Sequence, residues 1–309
     1  MPRQPEPFPA TAETATANIP DRPDSLGRAL AWMVLSGLSF ALMGAMVKLA
    51  PTAPVTTKVF FRNLVTLGIT ATVALRTGRN PLAATPHRKL LLLRALCGLG
   101  GVYFYFVALG RLTLADASLL NKTSPFFVAV FAVLILKEPF RRSIVPALLT
   151  AFCGAVLVIK PGFNYALLPA VAGLASGGFA GLAYVLVRRL KGKAEPNRII
   201  FYFSLVSCTA TLPFVLLNPP HPDTGQWLAL LGTGVFAASG QFGLTFAYHH
   251  APASRISIFT YLHVLFAVVV GLILFGERPD VWSLLGGVLI VGAAVAAQGG
   301  KTVSGKEAR

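Results

Sequence analysis

The chain has 309 residues, of which 55% are hydrophobic and 12% charged, with a mean hydropathy of +0.68. A soluble domain carries about 25% charged residues, so half that share leaves too little polar surface to cover a water-soluble globule of this size. The net charge of +16, from 27 Lys and Arg against 11 Asp and Glu, would point to nucleic acid in a soluble protein. Here the cations sit in short clusters between apolar runs such as 90–109 and 127–136, the pattern of a polytopic membrane protein with basic cytoplasmic loops, and nucleic acid is set aside as a partner.

Residues 1–27 are polar and hold Pro2, Pro5, Pro7, Pro9, Pro20 and Pro23. They read as a disordered cytoplasmic tail, with no secretory signal peptide visible. A membrane-spanning helix needs about 20 apolar residues. Ten windows qualify: 28–49, 55–75, 90–110, 114–136, 142–160, 167–188, 198–217, 226–248, 254–275 and 279–298. Cys97, Cys153 and Cys208 all fall inside these runs and read as small core hydrophobes. Connections as short as Pro51–Pro54 make successive helices antiparallel neighbours. With the N-terminus in the cytoplasm, the segments on that side hold 19 Lys and Arg against 5 on the other. Both termini are therefore expected to be cytoplasmic, in the inner membrane, with residues 299–309 a second tail. The same charge favours anionic lipids of the inner leaflet.

The two halves resemble each other. Ser36, Gly37, Leu42 and Val47 match Ser176, Gly177, Leu182 and Val187 at an offset of 140. Gly101, Ala108 and Glu138 match Gly240, Ala247 and Glu277 at 139. Each half, 28–160 and 161–298, holds five windows, an odd number, so the second half starts on the opposite side of the membrane. The expected fold is an all-α integral membrane protein of ten transmembrane helices, built as two inverted five-helix repeats around a central cavity. Such repeats place a substrate site near the midplane.

With the Glu ending the fourth span of each half (ILKE at 135–138, LFGE at 274–277), Pro125 within TSPFF, and the Gly-rich fifth spans (Gly154; Gly286, Gly287, Gly292), the chain resembles the EamA-type members of the drug/metabolite transporter superfamily over about 28–298. It departs in carrying Val264 at the repeat position of Pro125, so the second half is expected to lack that kink. The resemblance implies a secondary transporter of a small metabolite whose cavity is lined by the first four helices of each half, with the fifth helices peripheral.

Arg62 lies about eight residues, roughly 12 Å, into the second span, and Lys122 about nine into the fourth, from the same side. An intramembrane cation costs about 2.5–3.5 kcal/mol and normally faces a cavity and a partner. No Asp or Glu lies at that depth, which leaves a substrate anion to supply the charge, Arg offering a planar fork and Lys a point charge. Alternatively, Arg62 caps carbonyls freed by a kink and Lys122 snorkels outward. Arg94, about five residues from a cytoplasmic end, is expected to snorkel. Ser118, Lys122 and Pro125 share one helical face, and Asn121 stands beside them at a kink whose bared backbone would line a cavity.

Tyr103, Phe104, Tyr105 and Phe106 put aromatics on several faces of the third span, and one of the two tyrosines, with Tyr103 the candidate, is expected to face the cavity. In the second half, Gln241, Thr245 and His249 form a polar stripe on the eighth span, and Ser254, Ser257 and Tyr261 another on the ninth. Tyr202 and Tyr261 are the repeat counterparts of Arg62 and Lys122, so a substrate with an anionic and an apolar or aromatic end would be oriented between cations and phenols. His263, about 200° from Tyr261, is expected to face elsewhere. Glu138 and Glu277 read as interface residues beside Lys137 and Arg278.

The expected activity is transport of an anionic or zwitterionic small molecule by alternating access, without cofactor, as a monomer or homodimer. An amino-acid or drug exporter of the same fold, with no anion clamp, is the alternative. An intramembrane enzyme would need a nucleophile and base or metal ligands at one depth; no HExxH, GxSxG or paired midplane carboxylates occur. The absence of a phosphate-binding loop argues against a primary pump within the chain.

Overall fold

Backbone N–H and C=O groups find no water inside a bilayer, so apolar runs of this length close their hydrogen bonds internally as helices. The computed structural model describes residues 26–137, 145–159, 167–190, 192–219, 222–250 and 257–303. Among them are α1 (Leu26–Lys48), α2 (Val55–Arg76), α3 (Arg88–Leu109), α4 (Leu114–Asn121), α5 (Ser124–Leu136) and α6 (Val145–Ile159). The second half adds α7 (Leu167–Leu190), α8 (Pro196–Leu217), α9 (Thr224–His250), a 3-10 turn at Ser257–Tyr261, α10 (Leu262–Phe275) and α11 (Val281–Val303). No strand occurs among the described residues.

Among the described residues seven stretches are long and apolar enough to cross a membrane, counting α4 and α5 together as Leu114–Leu136. Three shorter apolar helices accompany them, at Val145–Val158, Phe259–Phe275 and Val281–Ala293. The surface agrees with a membrane: Leu75, Leu168, Leu217 and Ile273 are all more than 70% exposed, while Ser36, Asn63, Thr70 and Ser204 are buried between helices. Large apolar side chains face outward and small polar ones meet inside, where an interhelical hydrogen bond has no water to compete with it.

The helices pair across the two halves. α1 packs against α9 and α10, α3 against α7 and α8, α2 against α8 and α9, α6 against α11, and α7 against α4 and α5. α4 also meets α10. Exchanging every helix for its repeat counterpart turns α1–α9 into α7–α3 and α2–α9 into α8–α3. The same exchange returns α2–α8 and α6–α11 to themselves and turns α1–α10 into α7–α5. The approach of α6 to α11 uses glycine: a Cβ on Gly154 of α6 would stand 2.7 Å from the Gly286 carbonyl oxygen of α11. Without a hydrophobic drive between helices in lipid, such backbone contact is what holds a pair together.

The fourth span is broken. α4 ends at Asn121 and α5 starts at Ser124, so Ser118, Lys122 and Pro125 do not share a continuous helical face. Pro125 sits in the first turn of α5, where its missing N–H leaves no bond unmade, rather than mid-helix. The second half breaks at the equivalent place without a proline: the 3-10 turn ends at Tyr261, the counterpart of Lys122, and α10 begins. The expectation of an unbroken ninth span is thereby corrected. Further along, Lys137 and Gly276, again counterparts, both take left-handed backbone at the ends of α5 and α10.

Gly276, with φ of +64°, turns the chain back so that Glu277 reaches α1 and the start of α4. Its carboxylate pairs with Lys48 and accepts the Leu114 N–H at 2.6 Å, while Lys48 Nζ also donates to the Leu112 carbonyl at 2.8 Å. Glu277 thus pairs with Lys48 rather than with its neighbour Arg278. Glu138 lies outside the described residues, as do Ser254 and nearly all of the tail at 1–27.

A cationic cavity as the candidate functional site

Helices α1, α2, α3, α5, α7, α8, α9 and α10, with the 121–122 break, enclose a cavity of about 600 Å³; no described residue of α6 or α11 lines it. Six of the residues singled out above face it: Arg62, Asn121, Lys122, Pro125, Gln241 and Tyr261. Three do not. Ser118 is fully buried and shares a hydrogen bond of 3.1 Å with the Tyr105 hydroxyl. Tyr103 packs against Phe104 and the central apolar cluster. Tyr202 turns into a cluster with Leu91, Leu190 and Ile199.

The break at Lys122 is held from both halves. The Tyr261 hydroxyl donates to the Lys122 carbonyl at 3.3 Å, so two repeat counterparts meet directly. Thr123 Oγ1 donates to the Leu120 carbonyl at 2.6 Å, and Asn121 Nδ2 donates to Ser176 Oγ of α7 at 3.0 Å. Carbonyls freed by the interrupted helix are thereby satisfied by side chains. Thr245 bonds back to the Gln241 carbonyl of its own helix and takes no part in the lining. The side chains of His249 and Ser257 lie outside the described residues.

Arg62 is 6% exposed and its Nη1 donates to Asn63 Oδ1 at 2.8 Å. Its guanidinium carbon lies 5.0 Å from the centre of the Phe203 ring of α8. Arg94 of α3 approaches the same ring, at 4.7 Å, and lines the cavity. The expected snorkelling of Arg94 is corrected: its head turns inward onto Phe203, and its Nε and Nη1 are buried with no hydrogen-bond partner. Arg62 Nε is in the same condition. Convergence of the two heads depends on Gly98, one turn along α3, where a Cβ would sit 2.9 Å from Phe203 ring carbons and 3.1 Å from Arg94 Nη1.

His263 also lines the cavity, edge-on to Phe40 with ring centres 6.2 Å apart. A helical wheel placed it away from Tyr261 because the wheel assumes one uninterrupted α-helix, and here a 3-10 turn precedes it. Of the two tyrosines of the third span it is Tyr105 that faces the cavity, and Tyr184 of α7 is a polar lining residue missed from the sequence. Arg94 carried the signal that marked Arg62, a cation inside an apolar run; what hid it was its depth. It is six residues into α3, about 9 Å, and a side chain of that length reaches either way.

Among the described residues the lining therefore holds three cationic side chains, Arg62, Arg94 and Lys122, and no Asp or Glu. None of the three has a carboxylate within salt-bridge distance among the described residues. Asp116, the carboxylate closest to Lys122 in sequence, is buried in the first turn of α4 and is not part of the lining. Such a cavity can accept an anion through fork-shaped and point-like donors and surround it with aromatic and aliphatic walls.

Comparison with known proteins agrees with this architecture. The sequence model of the EamA-like transporter family matches residues 27–160 and again 167–297. The pseudopaline exporter CntI of Pseudomonas aeruginosa is 34% identical over 267 residues, covering 85% of this chain and 93% of that protein. A riboflavin transporter of Vibrio cholerae is 27% identical over 270 residues, covering 84% and 89%. A solved crystal structure superposes with a TM-score of 0.62 at 19% identity, over 89% of this chain and 98% of the other, a likeness of fold. Two successive family matches spanning nearly all of the chain, apolar helices long enough to cross a bilayer and a relative sharing a third of its residues lead to one assignment: this multi-pass membrane protein belongs to the EamA-like transporter family.

Proposed function

We propose that the chain is a secondary transporter that moves a small organic anion or zwitterion across the cytoplasmic membrane by alternating access. The observation that carries this reading is the meeting of Arg62, Arg94 and Lys122, from separate stretches of chain, in one cavity with no carboxylate among its described lining residues. Cations at membrane depth are costly without a partner. A bound carboxylate or phosphate supplies one, and Arg62, Arg94 and Lys122 are its binding residues, with Asn121, Gln241 and Tyr261 as polar supports. The relatives named for pseudopaline and riboflavin support an organic cargo small enough for about 600 Å³.

The two halves act as inverted five-helix repeats of ten spans, both termini in the cytoplasm. Helix pairings that survive exchange of the halves, and helix breaks at Lys122 and Tyr261, support this. Two such halves exchange conformations to open the cavity to either side in turn.

The test is ligand-induced thermal stabilisation of detergent-purified protein with carboxylates, organophosphates, neutral amino acids and organic cations. A ligand at 100 times its Kd stabilises by about 2.7 kcal/mol. Anions are expected to stabilise the wild type, and Arg62→Ala and Lys122→Ala to lose the response. Stabilisation by neutral or cationic compounds alone, unchanged in both variants, refutes the anion reading and leaves an amino-acid or drug exporter.

A further inference from the structure

The three cavity cations do not form one cluster. Arg62 and Arg94, from α2 and α3, converge on a single ring, Phe203 of α8, and leave Arg62 Nε and Arg94 Nε and Nη1 buried without acceptors. Two like charges directed at one place call for an anion shared between them. Lys122 stands on another wall. It follows the end of α4, which packs on α7 and α10; α3 packs on α7 too, but it reaches the level of Asn121 and Ser176 through Gly101, seven residues or about 10 Å along the helix from Arg94. Its surroundings in the lining are Asn121, Ser124 and Pro125 of its own segment, with Tyr261 and His263 from the other half. Apolar groups make up most of the rest, among them Phe40, Phe106 and Phe126. With no carboxylate among the described lining residues, a monoanion leaves two of these three positive charges unmatched, and a dianion leaves one.

Resting on the anion reading above, we infer that the substrate carries two separated anionic groups, one held by the Arg62–Arg94 guanidinium pair and the other by the Lys122 ammonium, joined by an apolar segment. The class is that of dicarboxylates and carboxylate-phosphates. The guanidinium pair is the stronger subsite because two forks converge there. The ammonium selects for the second charge and for the length of the linker.

The experiment titrates the purified full-length chain with dicarboxylates of increasing length (succinate, glutarate, adipate, pimelate) and with monocarboxylates of matching carbon number, read as thermal stabilisation. The wild type is expected to bind one dicarboxylate at least tenfold more tightly than its matched monocarboxylate, with an optimum in chain length. Lys122→Gln is expected to weaken that dicarboxylate at least tenfold more than the matched monocarboxylate, bringing the two to similar affinity, while Arg94→Gln weakens both alike. Equal binding of the two series by the wild type overturns the two-anion inference and leaves the anion clamp standing. Equal weakening of both by Lys122→Gln overturns it likewise. Stabilisation by neither series, with neutral or cationic compounds stabilising instead, overturns the anion reading itself. The wild-type comparison decides even where a variant does not fold.

Discussion

Replacing Gly98 by Ala tests whether the convergence of Arg62 and Arg94 on Phe203 is what makes the cavity bind. The new Cβ would meet two Phe203 ring carbons at 2.9 Å and Arg94 Nη1 at 3.1 Å. Carbon atoms settle about 3.5–4.0 Å apart, so the ring has to withdraw by about 0.6–1 Å. Withdrawal turns Phe203 off its rotamer, at about 0.5–1.5 kcal/mol. It also pulls the ring from guanidiniums now centred 5.0 and 4.7 Å away, contacts worth about 0.5–2 kcal/mol each. Against this, Ala gains about 0.5–1 kcal/mol over Gly within a helix. With the two ring contacts about half lost, the empty protein is therefore expected to lose no more than about 3 kcal/mol, within the range of an ordinary point mutation. Anion affinity should fall as well, by about tenfold or 1.4 kcal/mol, because the two forks no longer aim at one point. The assay is thermal unfolding of purified protein with and without the carboxylate that best stabilises the wild type. Gly68→Ala on α2, where no atom lies within 4 Å of the new Cβ, is the control and should bind as the wild type does. Wild-type affinity in Gly98→Ala would refute the role given to the shared ring.

Glu277→Gln keeps an oxygen for the Leu114 N–H but removes the charge facing Lys48, whose side chain, like that of Glu277, is 16% exposed. Thermal unfolding should show a loss of about 1–3 kcal/mol, partly restored by adding Lys48→Met, since an unpartnered ammonium is the larger cost. Gly154→Val forces α6 and α11 apart at Gly286 and should cost about 1–3 kcal/mol, leaving carboxylate affinity unchanged because no described residue of either helix lines the cavity. In the Tyr105–Ser118 pair, Tyr105→Phe alone should cost about 1–3 kcal/mol and the double change with Ser118→Ala no more than that, read from the same melts. A double variant whose loss equals the sum of its singles counts against the pairing.

Much of the fold was legible because a bilayer narrows the choices. Apolar windows such as 28–49 and 55–75 coincide within a few residues with α1 and α2, since backbone groups at that depth have no partner except their own helix. The breaks were half legible. Pro125 pointed to the fourth span, but the helix ends before it, and the second half breaks with Val264 in the corresponding position. A sequence shows where a proline forbids a bond; it does not show that Tyr261, from the other half, accepts the task of satisfying the Lys122 carbonyl.

The candidate site divides the same way. Arg62 and Lys122 stood out in the sequence because charge inside an apolar run is costly wherever the helix happens to face. Tyr202 was inferred from Arg62 by repeat symmetry, yet counterparts share a backbone position and not an environment, and Tyr202 packs among Leu91, Leu190 and Ile199. Arg94 and His263 were set aside by distance along a helix and angle around it, and both line the cavity. The sequence by itself determined a helical membrane protein, its repeat and the presence of buried cations, all of which follow from the solvent that a bilayer is and from local periodicity. Only tertiary structure decided which cations share a cavity. That depends on the rotation of α2, α3 and α8 about their axes and on Gly98 leaving room for Phe203, and rotation is set by contacts between residues more than 100 positions apart.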